Sequence, residues 1–220
     1  MTGAELIKRT RKYAEDTLRK ETNAHDWWHV ARVEKLALHL ARQEKGANLL
    51  VVQLGALLHD IADWKFHNGD TEIGPRTAQQ WLEGLGTDPE VTEQVAYIVR
   101  HVSFRGGTNQ HAMESLEGKI VQDADRLDAI GAIGIARVFT FGGAFGRQMY
   151  DPAHKPQQFT SFEAYKNQVK DNTSINHFYE KLLLLKDRLN TDAARRFAAK
   201  RHEFMEQFLD EFYAEWEGER

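Results

Sequence analysis

The run Val51-Val52-Gln53-Leu54-Gly55-Ala56-Leu57-Leu58 ends abruptly in the polar pair His59-Asp60. A stretch this apolar belongs in a core, so the two polar side chains that close it need a partner there. His29 and Asp125 lie in two other segments whose apolar spacing also reads as helix. All four are residue types that bind a divalent metal. Imidazole and carboxylate together suit Mn, Fe, Zn or Co better than Mg or Ca. The chain has no cysteine, which excludes disulfides and thiolate ligands and leaves nitrogen and oxygen as donors.

The rest of the chain reads as one helix after another. Leu6, Tyr13, Ala14, Thr17 and Leu18 repeat near 3.6 spacing over residues 3 to about 22. Asp26 leads into a second helix carrying Val30, Val33, Leu36, Ala37 and Leu40, which stops near Gly46. A third spans about 48–60, and a fourth about 71–85, where Gly84 and Gly86 supply the stop. Asp88-Pro89-Glu90 opens a fifth that reaches His101, with Asp at the N-cap and Pro at the first position. Residues 114–141 and 161–188 read as two more, and a last helix follows Thr191-Asp192. Its stripe of Phe197, Phe204, Met205, Phe208, Leu209, Phe212 and Trp216 reads as core, and Glu211, Glu215, Glu217 and Glu219 as a solvated face. No alternating stretch is long enough for a strand. The expectation is an all-α fold in a single domain.

The order His…His-Asp…Asp, each on an apolar helix, resembles the HD-domain superfamily of metal-dependent phosphohydrolases, as do the segments Ala56–Asp63 and Asp123–Gly131. The likeness covers about residues 20–215. Within the superfamily the chain is most similar to the YedJ/YpgQ-like group, through Arg137–Gly143 and His177–Leu183. The resemblance implies an HD helical core over about 20–140 with a C-terminal helical extension over about 160–217. It also implies hydrolysis of (deoxy)nucleoside triphosphates to monophosphate and pyrophosphate, with Mn²⁺ preferred and Co²⁺, Fe²⁺, Ni²⁺, Zn²⁺ or Mg²⁺ as alternatives.

Helix geometry sharpens the site. His29, His59, Asp60 and Asp125 are the expected ligands. Adjacent helical residues are turned about 100° apart, so the helix must end or bend if His59 and Asp60 are to face one ion. Asp63, four residues past His59, reaches the edge of the site and is the candidate catalytic residue. It would act as base to the attacking water or orient a ligand imidazole. His25 and His29 also have the His-x-x-x-His spacing of a zinc protease, but Asp26 stands where that motif has Glu, and it reads better as a helix start. Trp27 and Trp28 read as core, with one of them open to a role as a stacking wall.

Substrate-binding candidates are Lys65, beside the ligands; Arg105 with His101, in a segment containing Gly106-Gly107; and Arg147, in the Gly-rich stretch Phe141–Pro152. Arg126 is a further cation beside a ligand, unless it points away. His101 or His111 could alternatively recruit a second metal. Neither Gly-rich segment ends in the Gly-Lys-Ser/Thr of a P-loop.

The net charge of −4 argues against a nucleic-acid surface while allowing a small phosphorylated substrate, such as a nucleotide, in a local basic pocket. No apolar run approaches the roughly 20 residues needed to span a bilayer, and the N-terminus lacks a signal-peptide core, so a cytoplasmic protein is expected. A homodimer stays open. Two other functional readings remain: a 5′-nucleotidase or phosphomonoesterase, and a metal-dependent nucleotide sensor without turnover.

Overall fold

The computed structural model describes residues 1–19, 26–62, 67, 69–104, 113–158, 161 and 172–220. Numbered along those residues, the helices are α1 (Gly3–Leu18), α2 (Trp27–Ala41), α3 (Leu49–Leu58), α4 (Ile73–Gly84), α5 (Pro89–His101), α6 (Leu116–Asp128), α7 (Gly131–Ala144) and α8 (Ser174–Glu180). A 3₁₀ helix (Leu182–Arg188) and α9 (Asp192–Trp216) complete them. Among the described residues there is no strand, so the fold is all-α as expected. No single helix there is long and apolar enough to cross a membrane.

Short polar side chains start several of these helices. Asp26 accepts a hydrogen bond from the His29 N–H, Asn48 from those of Leu50 and Val51, Asp88 from that of Glu90, and Thr191 from that of Ala194. Each cap satisfies N–H groups that lack an intrahelical partner, and each contributes about 1 kcal/mol.

The chain divides into two compact units. The first comprises Met1–Ser103 and His111–Asp125. At its centre, α3 packs against α1, α2 and α5. Every residue from Val51 to Leu58 except Gln53 is buried, which is what the apolar run requires. Gly55 permits the close approach: a Cβ there would lie 3.1 Å from Ile98 Cδ1 and 3.5 Å from Val121 Cγ2. Hydrogen bonds tie α6 to this unit. The Asn48 N–H donates to Glu117 at 2.8 Å, and the Gln122 amide donates to the carbonyls of His101 and Val102.

The second unit comprises Phe104–Gln110 and Arg126–Arg220. Here α9 packs on α7 and on the 3₁₀ helix, and α8 contacts both α7 and the 3₁₀ helix. Phe139, Phe178 and Phe208 form an aromatic cluster, with Phe178 stacked on Phe208 at 5.7 Å. The buried Asp128 carboxylate pairs with Arg137 at 2.8 Å.

Several boundaries differ from the expected ones. The first helix ends at Leu18, four residues short, and the second at Ala41, with a turn reaching Gly46. The expected helix over 114–141 is two helices. Ile130 is extended, and Gly131 takes φ 76°, a left-handed conformation that glycine adopts without steric penalty. Over 161–188, the described part is α8 followed by the 3₁₀ helix. Lys181 leaves the helical region, and Leu182 and Leu185 are both buried, three apart as a 3₁₀ turn places them.

The stripe on α9 is only partly core. Met205 and Leu209 are buried, as are Ala194, Ala198 and His202, whereas Phe204 and Trp216 are exposed. Trp216 instead meets Tyr150 edge-on at 4.9 Å, alongside Phe212. The glutamates from Glu211 to Glu219 are exposed as expected. Trp27 is core, but Trp28 is 65% exposed, because adjacent helical positions face about 100° apart.

Candidate metal centre

Three helices of the first unit bring the expected ligands together. Asp26 caps α2 through the His29 N–H at 2.9 Å, which fixes the first turn and carries the fully buried His29 side chain inward. His59 is the residue at which α3 ends, and residues 59–62 form a turn. Both members of the His59-Asp60 pair face the same side there, with His59 Nε2 3.5 Å from Asp60 Oδ2. Asp125 arrives on α6.

The donor atoms converge closely. His29 Nε2 lies 3.1 Å from His59 Nε2, 3.3 Å from Asp60 Oδ2 and 3.4 Å from Asp125 Oδ1. His59 Nε2 lies 3.5 Å from Asp60 Oδ2 and 3.9 Å from Asp125 Oδ1. One donor atom each from His29, His59 and Asp125 fits within a mutual separation of 4.8 Å.

His59 Nδ1 is 2.8 Å from the Ala56 carbonyl oxygen, so Nδ1 carries the proton and donates it. His59 Nε2, the other ring nitrogen, faces the other imidazole and two carboxylates. Such a group of imidazole nitrogens and carboxylate oxygens, two of its members almost wholly inaccessible to water, suits a cation among them. Transition-metal bonds to nitrogen and oxygen of about 2.0–2.2 Å put neighbouring ligands about 3.0–3.6 Å apart around one ion. The first four of the five separations fall in that range. The residues fit a divalent metal.

The electrostatics agree. Burial by itself raises the Asp125 pKa and the neighbouring Asp60 charge adds to that. The hydrogen bond from His29 and the fields of the two imidazoles outweigh both and hold the carboxyl well below the usual carboxylate range. Asp125 is also the most accessible of the four, with its side chain 27% exposed, against 12% for Asp60 and none for His29.

The other candidates fare differently. Asp63, Lys65 and Arg105 lie outside the described residues, as do His25 and His111. His101 donates from Nδ1 to the Tyr97 carbonyl at 2.8 Å, and its ring lies on that of Tyr97 at 4.3 Å, which fixes the imidazole to its own helix. Arg147 belongs to the second unit, where its guanidinium lies over the Phe141 ring at 5.1 Å. Arg126 donates to the Arg188 carbonyl oxygen.

Sequence reading missed Glu34, buried on α2 one and a half turns past His29. Its carboxylate accepts from Arg11 at 2.5 Å and from Gln53 at 2.7 Å. The available signal was a Glu on the apolar face of α2 and the lone Gln53 inside the apolar run.

Comparison with known proteins agrees with this geometry. The model of the HD domain family matches residues 27–130, the span from the first turn of α2 to just past α6. The protein YpgQ of Bacillus subtilis, itself uncharacterized, is 38% identical over 210 residues, covering 95% of this chain and 93% of its own. A crystal structure from Lactobacillus plantarum superposes with a TM-score of 0.86 at 38% identity, covering 98% of both chains. An HD-superfamily hydrolase from Bacillus thuringiensis does so with a TM-score of 0.73 at 42% identity, over 99% of this chain and 100% of that one. YpgQ has also been crystallised in complex with ADP, and that structure has a TM-score of 0.74 to this one, over 96% of this chain and 98% of that one. With the His…His-Asp…Asp cluster assembled inside the matched span, the chain belongs to the HD superfamily of metal-dependent phosphohydrolases, in its YpgQ-like group.

Proposed function

We propose that this protein hydrolyses nucleoside triphosphates, deoxy or ribo, to the monophosphate and pyrophosphate, using one divalent metal, with Mn²⁺ first among the candidates. The observation that carries the reading is the convergence of His29, His59, Asp60 and Asp125 at ligand spacing. The ADP complex of YpgQ supports a nucleotide as the bound species. When bound, a divalent metal polarises a phosphoryl oxygen and lowers the pKa of water.

The chain's own residues do the rest. His59 is held in one tautomer by the Ala56 carbonyl, so its Nε2 stays available as a donor without reorganisation. Asp60 and Asp125 supply negative charge that balances the cation, and the greater exposure of Asp125 leaves the approach for substrate on its side. Asp63 is proposed to take the proton from the attacking water. Lys65, Arg105, Arg147 and His101 are proposed to hold phosphate oxygens. In this reading the chain acts as a single domain in the cytoplasm, an HD core with a C-terminal helical extension.

The test is a screen of nucleoside triphosphates, nucleoside monophosphates and simple phosphomonoesters with Mn²⁺, resolving pyrophosphate from phosphate. Equimolar nucleoside monophosphate and pyrophosphate is the expected result. Phosphate as the sole product, or preference for monophosphates, points to a nucleotidase instead. Binding without turnover makes the protein a sensor.

A further inference from the structure

Two cross-links join α2 to α3 in the first unit. One is the metal cluster, His29 against His59. The other is Glu34, which accepts from the Gln53 amide at 2.7 Å. Glu34 lies five residues after His29, and Gln53 six before His59, as expected where two antiparallel helices run side by side. At about 1.5 Å of rise per residue the two rungs are about 7.5 Å apart on α2 and 9 Å apart on α3. The Glu34 carboxylate is buried and also receives Arg11 of α1 at 2.5 Å on the same oxygen.

Val30, Val33 and Ala37 of α2 and Val51, Leu54 and Leu58 of α3 are buried apolar side chains, and apolar burial is non-directional. A hydrogen bond between two specific side chains is directional, and displacing α3 breaks it and takes a partner from the buried Glu34 carboxylate. We infer that Glu34 is a positioning residue for the metal centre: with Gln53 it sets the register of α2 on α3 that brings His29 Nε2 and His59 Nε2 to 3.1 Å. This inference rests on the metal reading above.

The experiment measures metal binding apart from activity. Mn²⁺ affinity is followed by calorimetry and Co²⁺ coordination by its visible d–d spectrum, on the full chain and on Glu34→Leu, Gln53→Leu, Glu34→Gln and Leu40→Ala, with Tm recorded for each. Glu34→Leu and Gln53→Leu are expected to weaken Mn²⁺ binding about 10–100-fold, the range seen when groups that orient ligands are lost, and to alter the Co²⁺ spectrum. Glu34→Gln keeps an acceptor for Gln53 and should bind within about threefold of the parent. Leu40→Ala removes a fully buried side chain from the far end of the same helix. It should lower Tm while leaving affinity and spectrum unchanged. Should Glu34→Leu fail to fold, Gln53→Leu carries the test, since it breaks the same rung and leaves Arg11 on the carboxylate. Parental affinity in Gln53→Leu, or an affinity loss in Leu40→Ala as large as in the rung variants, overturns the inference. Absence of metal binding by the parent overturns the metal reading itself.

Discussion

Among single residues, the sharpest division in this site is between side chains that hold a cation and one that would move a proton. Asp125 sits 3.4 Å from His29 Nε2 and is kept ionised by its neighbours. Asp125→Asn removes a charge that the cluster needs, and it is expected to lower Mn²⁺ affinity at least 10-fold. Asp63 is proposed to act on water and not on the metal. Asp63→Asn should keep most of the bound metal while lowering kcat by roughly 10²–10⁴, the range for loss of a general base. Calorimetry and steady-state kinetics on the two variants separate the roles, and metal loss in Asp63→Asn equal to that in Asp125→Asn would make Asp63 a ligand. Residue identity was the part of the site most open to reading from sequence. A His-Asp pair at the end of a buried run has few ways to satisfy its polar atoms, and His29 and Asp125 were recognisable by type and by apolar-helix placement.

At the level of elements, the ends of helices carry the information that periodicity lacks. The expected continuous helix over 114–141 breaks because the backbone at Gly131 is left-handed and the residue packs directly against Arg201, where an added Cβ would lie 3.0 Å from that side chain's Cβ and Cγ. A left-handed conformation costs a residue bearing a Cβ about 1–2 kcal/mol. Gly131→Ala is therefore expected to lower Tm by about 2–8 °C, at roughly 2–4 °C per kcal/mol for a chain of this size. Gly143→Ala, in the same helix with nothing within 4 Å of its added Cβ, should leave Tm unchanged or slightly raised. Thermal melts of the two variants check this, and an equal loss in both would remove the backbone argument. The caps at Asp26, Asp88 and Thr191 were legible because short polar residues before an apolar-periodic run have one dominant use. The break at Gly131 was not, since glycine inside a periodic segment reads equally well as a tolerated interior residue.

For the molecule as a whole, metal and stability are linked. A ligand that binds only the folded chain stabilises it by RT ln(1 + [L]/Kd), about 2.7 kcal/mol at 100 times Kd. Saturating Mn²⁺ is thus expected to raise Tm by several degrees and to slow amide exchange in α2, the end of α3 and α6, the segments that carry the ligands. EDTA should reverse both effects and abolish hydrolysis. Unchanged exchange in those segments, with activity surviving EDTA, would refute the metal centre. The sequence alone determined the helical class, most helix starts and the four residues of the cluster. These follow from local rules, namely the 3.6-residue period, capping chemistry and the cost of burying polar groups without partners. Only the tertiary structure decided that α3 stops at Leu58, and that Trp28, Phe204 and Trp216 face solvent. It alone revealed Glu34 joining three helices behind the site. Those outcomes depend on which helix faces which, a relation between residues distant in sequence that no local period or cap encodes.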